Sequence, residues 1–300
     1  MGYLREKYNR PYFLKEDAHG KPTQFGVAGI EEFCSGSIRH PDKDILHRID
    51  LQGKNVLDIG CGRGEAIKFA YEHGAARVTG VDFSEDAIAI AGAFLSEHCI
   101  KAELRCDDAL TFVRTYVARV TNGQSDPFDV VLMFDCVEHI PRTELTELMT
   151  ILRQMISRRA IIGINTPHFG TDNDVLLEGV KTLARDRSDD CEETKGMHCN
   201  RYTRRSLKRY MRKLGFIPIS HHLFVSELPH CSCLAATSWA RKKAFCLGYP
   251  ILLPQALESE TYEGYSWWTH PVMCPVRWLY LWVKHRSRKC CRARFGCMAR

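Results

Sequence analysis

The segment Lys54 to Glu65, KNVLDIGCGRGE, constrains this chain more than any other. A short apolar strand ends in an acid, three glycines follow at alternate positions, and an amphipathic helix begins at Glu65 and runs to about His73. Glycine tolerates positive φ and lets the backbone approach a ligand with no Cβ in the way. A strand, a glycine turn and a helix in that order open a parallel α/β sheet, and the residues that follow repeat the unit.

Arg77 to Val81 reads as a second strand. Ser84 can cap the next helix, with Glu85 and Asp86 in its first turn and Ala87, Ile88, Ala91 and Leu95 as its buried face. Lys101 to Cys106 is a third strand and Ala109 to Arg119 a helix, and the loop from Asn122 to Pro127 separates them from Phe128 to Phe134. That last run is almost continuously apolar, as in a strand covered on both faces. Leu145, Leu148, Met149, Leu152, Met155 and Ile156 recur at helical spacing, and Ala160 to Ile164 is another buried strand. Beyond a polar stretch from Asp172 to Asn200, a helix is expected from Thr203 to Leu214 with Gly215 past its end. Phe216 to Leu223 and Cys233 to Trp239 complete the strands. Alternation of this kind predicts a doubly wound, mostly parallel sheet.

The chemistry follows from where the acids fall. Gly60, Gly62 and Gly64 form a GxGxG loop, and Glu65 stands where a dinucleotide fingerprint requires a small residue. Asp82 closes the second strand, 18 residues after Gly64, where a carboxylate can accept both hydroxyls of a ribose. Asp107 and Asp108 close the third, at the place for adenine recognition. Asp58 and Glu65 would repel a pyrophosphate but suit the ammonium of a methionine moiety. Together they select S-adenosylmethionine over a dinucleotide, which argues against a nicotinamide oxidoreductase.

Val56 to Glu65 and Val78 to Ser84 resemble the first two motifs of class I S-adenosylmethionine-dependent methyltransferases. Phe128-Asp129-Val130-Val131 followed by Val137-Glu138-His139-Ile140-Pro141 resembles the fourth-strand segment of the subgroup that includes the ubiquinone-pathway O-methyltransferases. Asn165-Thr166-Pro167 and the stretch from Tyr202-Thr203 to Leu214-Gly215-Phe216 are similar to later motifs of that subgroup. The resemblance covers roughly residues 50–240. It implies an α/β, doubly wound seven-stranded sheet whose last strand is antiparallel. It also implies that Gly60, Gly62 and Gly64 pack on the methionine part with Asp58 near its ammonium. By the same resemblance Asp82 and Phe83 meet the ribose side, Asp108 and Ala109 the adenine, and Phe134 and Asp135 flank the transferred methyl. Ser157-Arg158-Arg159 departs from the family, which usually carries a Pro-Gly-Gly turn there.

Methyl transfer needs alignment of a nucleophile and, for an oxygen or nitrogen acceptor, removal of a proton. Histidine suits that task near neutral pH. His139, with Glu138 beside it, follows the fourth strand, His168 follows the fifth, and His198 lies in the polar stretch. Of these His139 is the first choice, with Glu138 and His168 completing the catalytic candidates. The 14 cysteines are scattered without a CxxC pair, so neither a disulfide framework nor a metal site is expected, His198-Cys199 and His230-Cys231-Ser232-Cys233 included.

The chain divides into an N-terminal cap at 1–49, a cofactor-binding domain at 50–240 with an insertion or lid at 171–200, and an extension at 241–300. The net charge of +6 belongs to that extension: Tyr265 to Arg300 holds eight Lys or Arg and no acid. Aromatic Trp278 to Val283 beside this basic run suits an anionic membrane surface, or less readily RNA. No signal peptide and no apolar run of membrane-spanning length is found, so a cytoplasmic protein, peripheral at most, is expected. The function that emerges is methyl transfer to an oxygen or nitrogen of a small-molecule, lipid-linked or glycan-linked acceptor. An RNA or protein acceptor held by the tail is the alternative, and a non-catalytic binding module of the same fold is another.

Overall fold

The computed structural model describes residues 5–14, 33–167, 198–224 and 230–237. Seven strands form one sheet: β1 (Asn55–Ile59), β2 (Arg77–Asp82), β3 (Glu103–Cys106), β4 (Phe128–Phe134), β5 (Ile156–Pro167), β6 (Ile217–Phe224) and β7 (His230–Ala236). Their order is β3-β2-β1-β4-β5-β7-β6, with β1 to β5 parallel and β7 antiparallel to both its neighbours. The helices are α1 (Arg10–Leu14), α2 (His40–Leu46), α3 (Glu65–Glu72), α4 (Glu85–Glu97), α5 (Ala109–Thr121), α6 (Arg142–Leu152) and α7 (Arg204–Lys213).

Alternation along the central strands divides the core into two layers. Leu57, Val131 and Met133 face one side with Leu148, Met149 and Phe216, whereas Val56, Val130 and Leu132 face the other with Ile45, Ile67 and Phe94. The chain runs β1 to β2 to β3 in one direction and then returns to place β4 on the opposite flank of β1. At that switch point the connections leave to opposite faces and a crevice opens beyond the carboxyl ends of the strands, where ligands of doubly wound sheets bind.

Local chemistry sets the element ends. The Ser84 side chain accepts from Ala87 N at 3.2 Å to start α4, and Thr203 and Ser206 form a reciprocal capping box at α7. Gly215 stops α7 at φ 80°, a conformation that a Cβ would oppose.

Three details differ from the sequence expectation. The buried face of α4 is filled by Ala87, Ile90, Ala91, Phe94 and Leu95, while Ile88 is only half-buried. Met155 and Ile156 are not helical: α6 ends at Leu152, Met155 O accepts from Phe128 N at 2.8 Å, and Ile156 starts β5. Ser157-Arg158-Arg159 therefore lies in a strand whose register with β4 shifts between Phe128 and Val130. The last strand starts at His230, three residues before the expected Cys233, because β5 extends to Pro167 and pairs it with His230. Trp239, most of 171–200 and the whole of 241–300 lie outside the described residues. Among the described residues no helix is long and apolar enough to cross a membrane.

Candidate functional site

An open cleft of about 1000 Å³, counting its mouth, lies at the carboxyl ends of β1 to β4. Each strand delivers to it the residue that terminates it: Gly60 after β1, Asp82 at the end of β2, Asp107 and Asp108 after β3, and Phe134 and Asp135 at β4.

The glycine turn is held by its neighbours. Gly60 N and Cys61 N donate to Val81 O at 2.8 and 3.1 Å, and Gly62 N donates to Asp82 Oδ2 at 3.0 Å. Gly60 has φ 74°, and a Cβ there would stand 2.9 Å from Cys136 Cβ, closer than the backbone permits. Gly64, at φ 92°, caps α3 and packs toward Ala91 and Leu95; it does not line the cleft. Its role is to join helix and strand, which leaves Gly60 and Gly62 as the glycines facing the crevice.

Asp82 spans two segments, since its other oxygen accepts from Ser84 N at 2.9 Å. Burial raises its pKa, and the three backbone amides around it oppose that rise. Asp108 accepts from Leu110 N and Thr111 N at 3.0 and 3.3 Å, so it caps α5 as well as lining the cleft beside Ala109. Asp58 is 2% exposed. Burial first, and then the charges of Glu65, Asp42 and Asp82, push its pKa up to about 8. An acid in that state lacks a cation, and a bound ammonium would supply one.

Residues from the N-terminal cap complete the wall, and no sequence period marked them. Tyr8, Tyr12 and Phe13 line the cleft with Phe83, and Tyr8 packs edge-to-face on Phe83 at 5.0 Å. Tyr8 O accepts from Ser84 Oγ at 2.6 Å, and Phe13 O accepts from Arg63 Nη1 at 3.2 Å. Arg63, 1% exposed, also pairs with Glu65 at 2.7 Å, so one buried guanidinium ties α1 to the glycine turn. Also lining the cleft, Arg39 pairs with Asp42 at 2.7 Å and with Asp135. Burial alone would lower the pKa of Arg39, but the two carboxylates outweigh it and keep the guanidinium charged. Asp135 sits at φ 46°, a left-handed conformation uncommon for a residue with a side chain. Its backbone N–H donates to Asn165 O at 2.9 Å, and Asn165 Nδ2 reaches Asp42 Oδ1 at 2.8 Å, which closes a ring of buried polar contacts.

The catalytic candidates divide. His139 lines the cleft, and its Nδ1 meets Tyr8 Oη at 2.8 Å. Glu138 lies behind it, fully buried, with Oε2 accepting from Thr166 Oγ1 at 2.8 Å. Burial, and then Asp135, raise its pKa to about 7, against the lowering effect of His198. His198 packs on His139 with ring centroids 4.8 Å apart. His168 lies outside the described residues.

Residues 36–221 match the family model described as "Methyltransferase domain". This chain belongs to that methyltransferase family. Curated relatives include the ubiquinone biosynthesis O-methyltransferases of Coxiella burnetii (strain RSA 493 / Nine Mile phase I), 32% identical over 99 residues, and of Azoarcus sp. (strain BH72), 34% identical over 96 residues. These matches span 33% and 32% of this chain, and only 38% and 37% of the relatives' own length. Among solved structures, magnesium protoporphyrin IX methyltransferase from Synechocystis PCC 6803, with bound SAH, aligns at TM-score 0.51 and 17% identity over 78% of this chain and 98% of its own. Burkholderia thailandensis 1,6-didemethyltoxoflavin-N1-methyltransferase aligns at 0.50 and 16% over 78% of this chain and 86% of its own. At these identities the structures establish the fold: a methyltransferase-type seven-stranded sheet.

Proposed function

We propose that this methyltransferase domain binds S-adenosylmethionine in the cleft and transfers its methyl to an oxygen or nitrogen of a small-molecule, lipid-linked or glycan-linked acceptor. The observation that carries the proposal is the convergence of a Cβ-intolerant glycine turn with three acids of separate strand ends, Asp58, Asp82 and Asp108. Gly60 and Gly62 leave the backbone open to close approach, and Asp58 is short of a cation that the methionine ammonium provides. Asp82, which already orders Gly62, keeps further acceptor capacity for ribose hydroxyls, because each carboxylate oxygen takes more than one hydrogen bond. Asp108, Ala109 and Phe83 would border the adenosine, and Phe134 and Asp135 the reactive end.

When bound, S-adenosylmethionine supplies an electrophilic methyl on a positively charged sulfur, so the protein's main task is alignment. The aromatic residues Tyr8, Tyr12 and Phe13 give the cleft an apolar wall. The acceptor's proton is handled at the corner formed by Glu138 and His139, beside the end of β4. Among residues outside the described set, Trp278 to Arg300 are proposed to hold the protein at an anionic surface, on the strength of their aromatic and basic sequence. Vesicle binding that falls with salt and is lost on truncation after Val276 tests this anchor.

Incubation of the protein with methyl-tritiated S-adenosylmethionine and a panel of phenols, amines and lipid-linked hydroxyls tests the activity. Label transfer to one acceptor class, lost in Gly62→Val, supports it. Binding of S-adenosylhomocysteine without transfer to any acceptor would favour a non-catalytic module.

A further inference from the structure

Helix α7 carries a charge pattern that the proposed reaction does not use. Seven Lys or Arg residues fall between Arg201 and Lys213, and no Asp or Glu falls between Cys199 and Phe224. Leu207, Tyr210 and Met211 are buried in the layer of Leu57, Val131 and Phe216, so the rest of the helix turns outward. Arg205, Arg209, Arg212 and Lys213 are exposed. Their spacing of three or four residues sets them in one row along the helix, about 6 Å per step of four residues. Arg201, also exposed, extends the row toward the turn that carries His139, because Asn200 beside it is stitched to that turn. Asn200 N donates to Glu138 O at 3.0 Å, and Asn200 Nδ2 donates to Val137 O at 3.0 Å.

Helix α6 widens the row into a band. Arg142, at its start, donates from Nη1 to Tyr202 Oη at 3.2 Å and stands 3.7 Å over the Tyr210 ring. Arg153, at its C-cap, donates from Nη1 to Leu214 O at 3.0 Å. Both arginines are exposed, so α6 sets a cation beside each end of α7. Glu147 of α6 is paired with Arg114 at 2.5 Å. Arg158 and Arg159, both exposed, stand at the start of β5. That end of the sheet adjoins the end of α7, since Ile161 pairs with Ala236 and Ala236 with Ile217. Outside the extension from Tyr265 to Arg300 the chain is close to neutral, so the band is a local asymmetry and not a share of a uniformly basic surface.

We propose that this α6–α7 face binds the phosphate backbone of a nucleic-acid duplex. A row of cations at a regular step suits a polymer of regularly spaced anions. Arginine supplies most of them, and its planar fork takes phosphate oxygens in pairs. Two other polyanions fit less well. A lipid surface is held by apolar side chains beside the cations, and among the described residues the one exposed large hydrophobic side chain is Tyr71, on α3. A single strand is held by stacking of its bases on accessible aromatic rings, whereas Tyr202 and Tyr210 on this face are buried. Contact with a duplex backbone needs neither feature and is indifferent to base sequence. No residue of α7 lines the cofactor cleft, and the binding does not rest on the methyl-transfer proposal.

The test is fluorescence-anisotropy titration of the full-length protein against a short labelled RNA duplex, its DNA counterpart and a duplex of scrambled sequence, over a range of salt. The wild type should bind all three with similar affinity, falling as salt rises. Arg209→Gln, Arg212→Gln and Lys213→Gln in one chain keep good helix formers at exposed positions, so the melting temperature should be unchanged. At low salt this variant should bind at least about tenfold more weakly, with its salt slope reduced by about two to three. The eight cations of the extension also attract polyanions. The comparison is therefore repeated in a full-length background carrying Arg286→Gln, Arg288→Gln, Lys289→Gln, Arg292→Gln and Arg294→Gln, where the same loss is expected. Arg10→Gln, Lys101→Gln and Arg105→Gln together change three exposed cations in α1 and at the β3 edge of the sheet, and should leave binding as it is. Duplex binding that the α7 variant leaves unmoved, or that the control variant lowers equally, overturns the proposal. So does an α7 variant that keeps duplex binding but loses affinity for phosphatidylglycerol vesicles, which would make the face a lipid contact.

Discussion

Asp58 should give opposite effects on stability and on binding, and its surroundings set the size of the second. Its pKa stands near 8 in the unliganded fold against 3.8 ordinarily, because it is buried among Glu65, Asp42 and Asp82. The folded value lies above the unfolded one, so the associated stability is complete below about pH 4 and is lost as pH rises toward 8. A ligand ammonium requires the ionised carboxylate. From a pKa of about 8, the ionised fraction is about 1% at pH 6 and about 9% at pH 7. Affinity for S-adenosylhomocysteine should therefore rise about ninefold between pH 6 and 7, about 1.3 kcal/mol, with release of nearly one proton on binding. Calorimetry in two buffers of different ionisation enthalpy measures both quantities. Asp58→Asn should flatten the pH dependence and weaken binding, yet raise the melting temperature of the unliganded protein at pH 7. Equal wild-type affinities at pH 6 and 7, or an Asn variant with an unchanged slope, would refute the reasoning.

Other substitutions probe the remaining walls. Arg39→Met should cost about 3–5 kcal/mol of stability in urea unfolding, because it strands Asp42 and Asp135 in a buried site without their cation; an unchanged midpoint would show that the ring of contacts is solvated. Gly62→Val places a branched residue at φ 49° on the cleft wall and should abolish S-adenosylhomocysteine binding in calorimetry. Asp82→Ala leaves Gly62 N–H and Ser84 N–H without their acceptor, so affinity should fall by about 1–3 kcal/mol, and a normal affinity would remove Asp82 from the site.

The sheet and the acidic strand ends were legible in sequence because they are written locally. The glycine turn, the apolar run of β4 and the Ser84 cap each occupy a few contiguous residues whose period or chemistry has one structural solution. The faces of the site that depend on distant contacts were not. Tyr8 meets His139 across 131 positions, and Arg39 meets Asp135 across 96. Neither Tyr8 nor Arg39 sits in a periodic segment, so periodicity does not distinguish either from a surface residue. The aromatic spacing of Tyr8, Tyr12 and Phe13 was the one available signal for that wall of the cleft. Gly64 shows the reverse case: its place in the glycine motif was visible in sequence, but its contacts with α4 serve packing and not the crevice. Glu138 was legible as a neighbour of His139 but not as a buried acid with one oxygen left unpaired, since that depends on Thr166 and on the stitching of Asn200.

A crystal structure of the protein with S-adenosylhomocysteine tests the central claim most directly. The account predicts the methionine part against Gly60 and Gly62 with its ammonium toward Asp58. The ribose hydroxyls should lie on Asp82, the adenine beside Asp108 and Ala109, and the sulfur should face the Asp135–His139 end of the cleft. Adenosine bound away from Asp82, or a cleft that takes up a pyrophosphate-linked dinucleotide in place of S-adenosylhomocysteine, would contradict it.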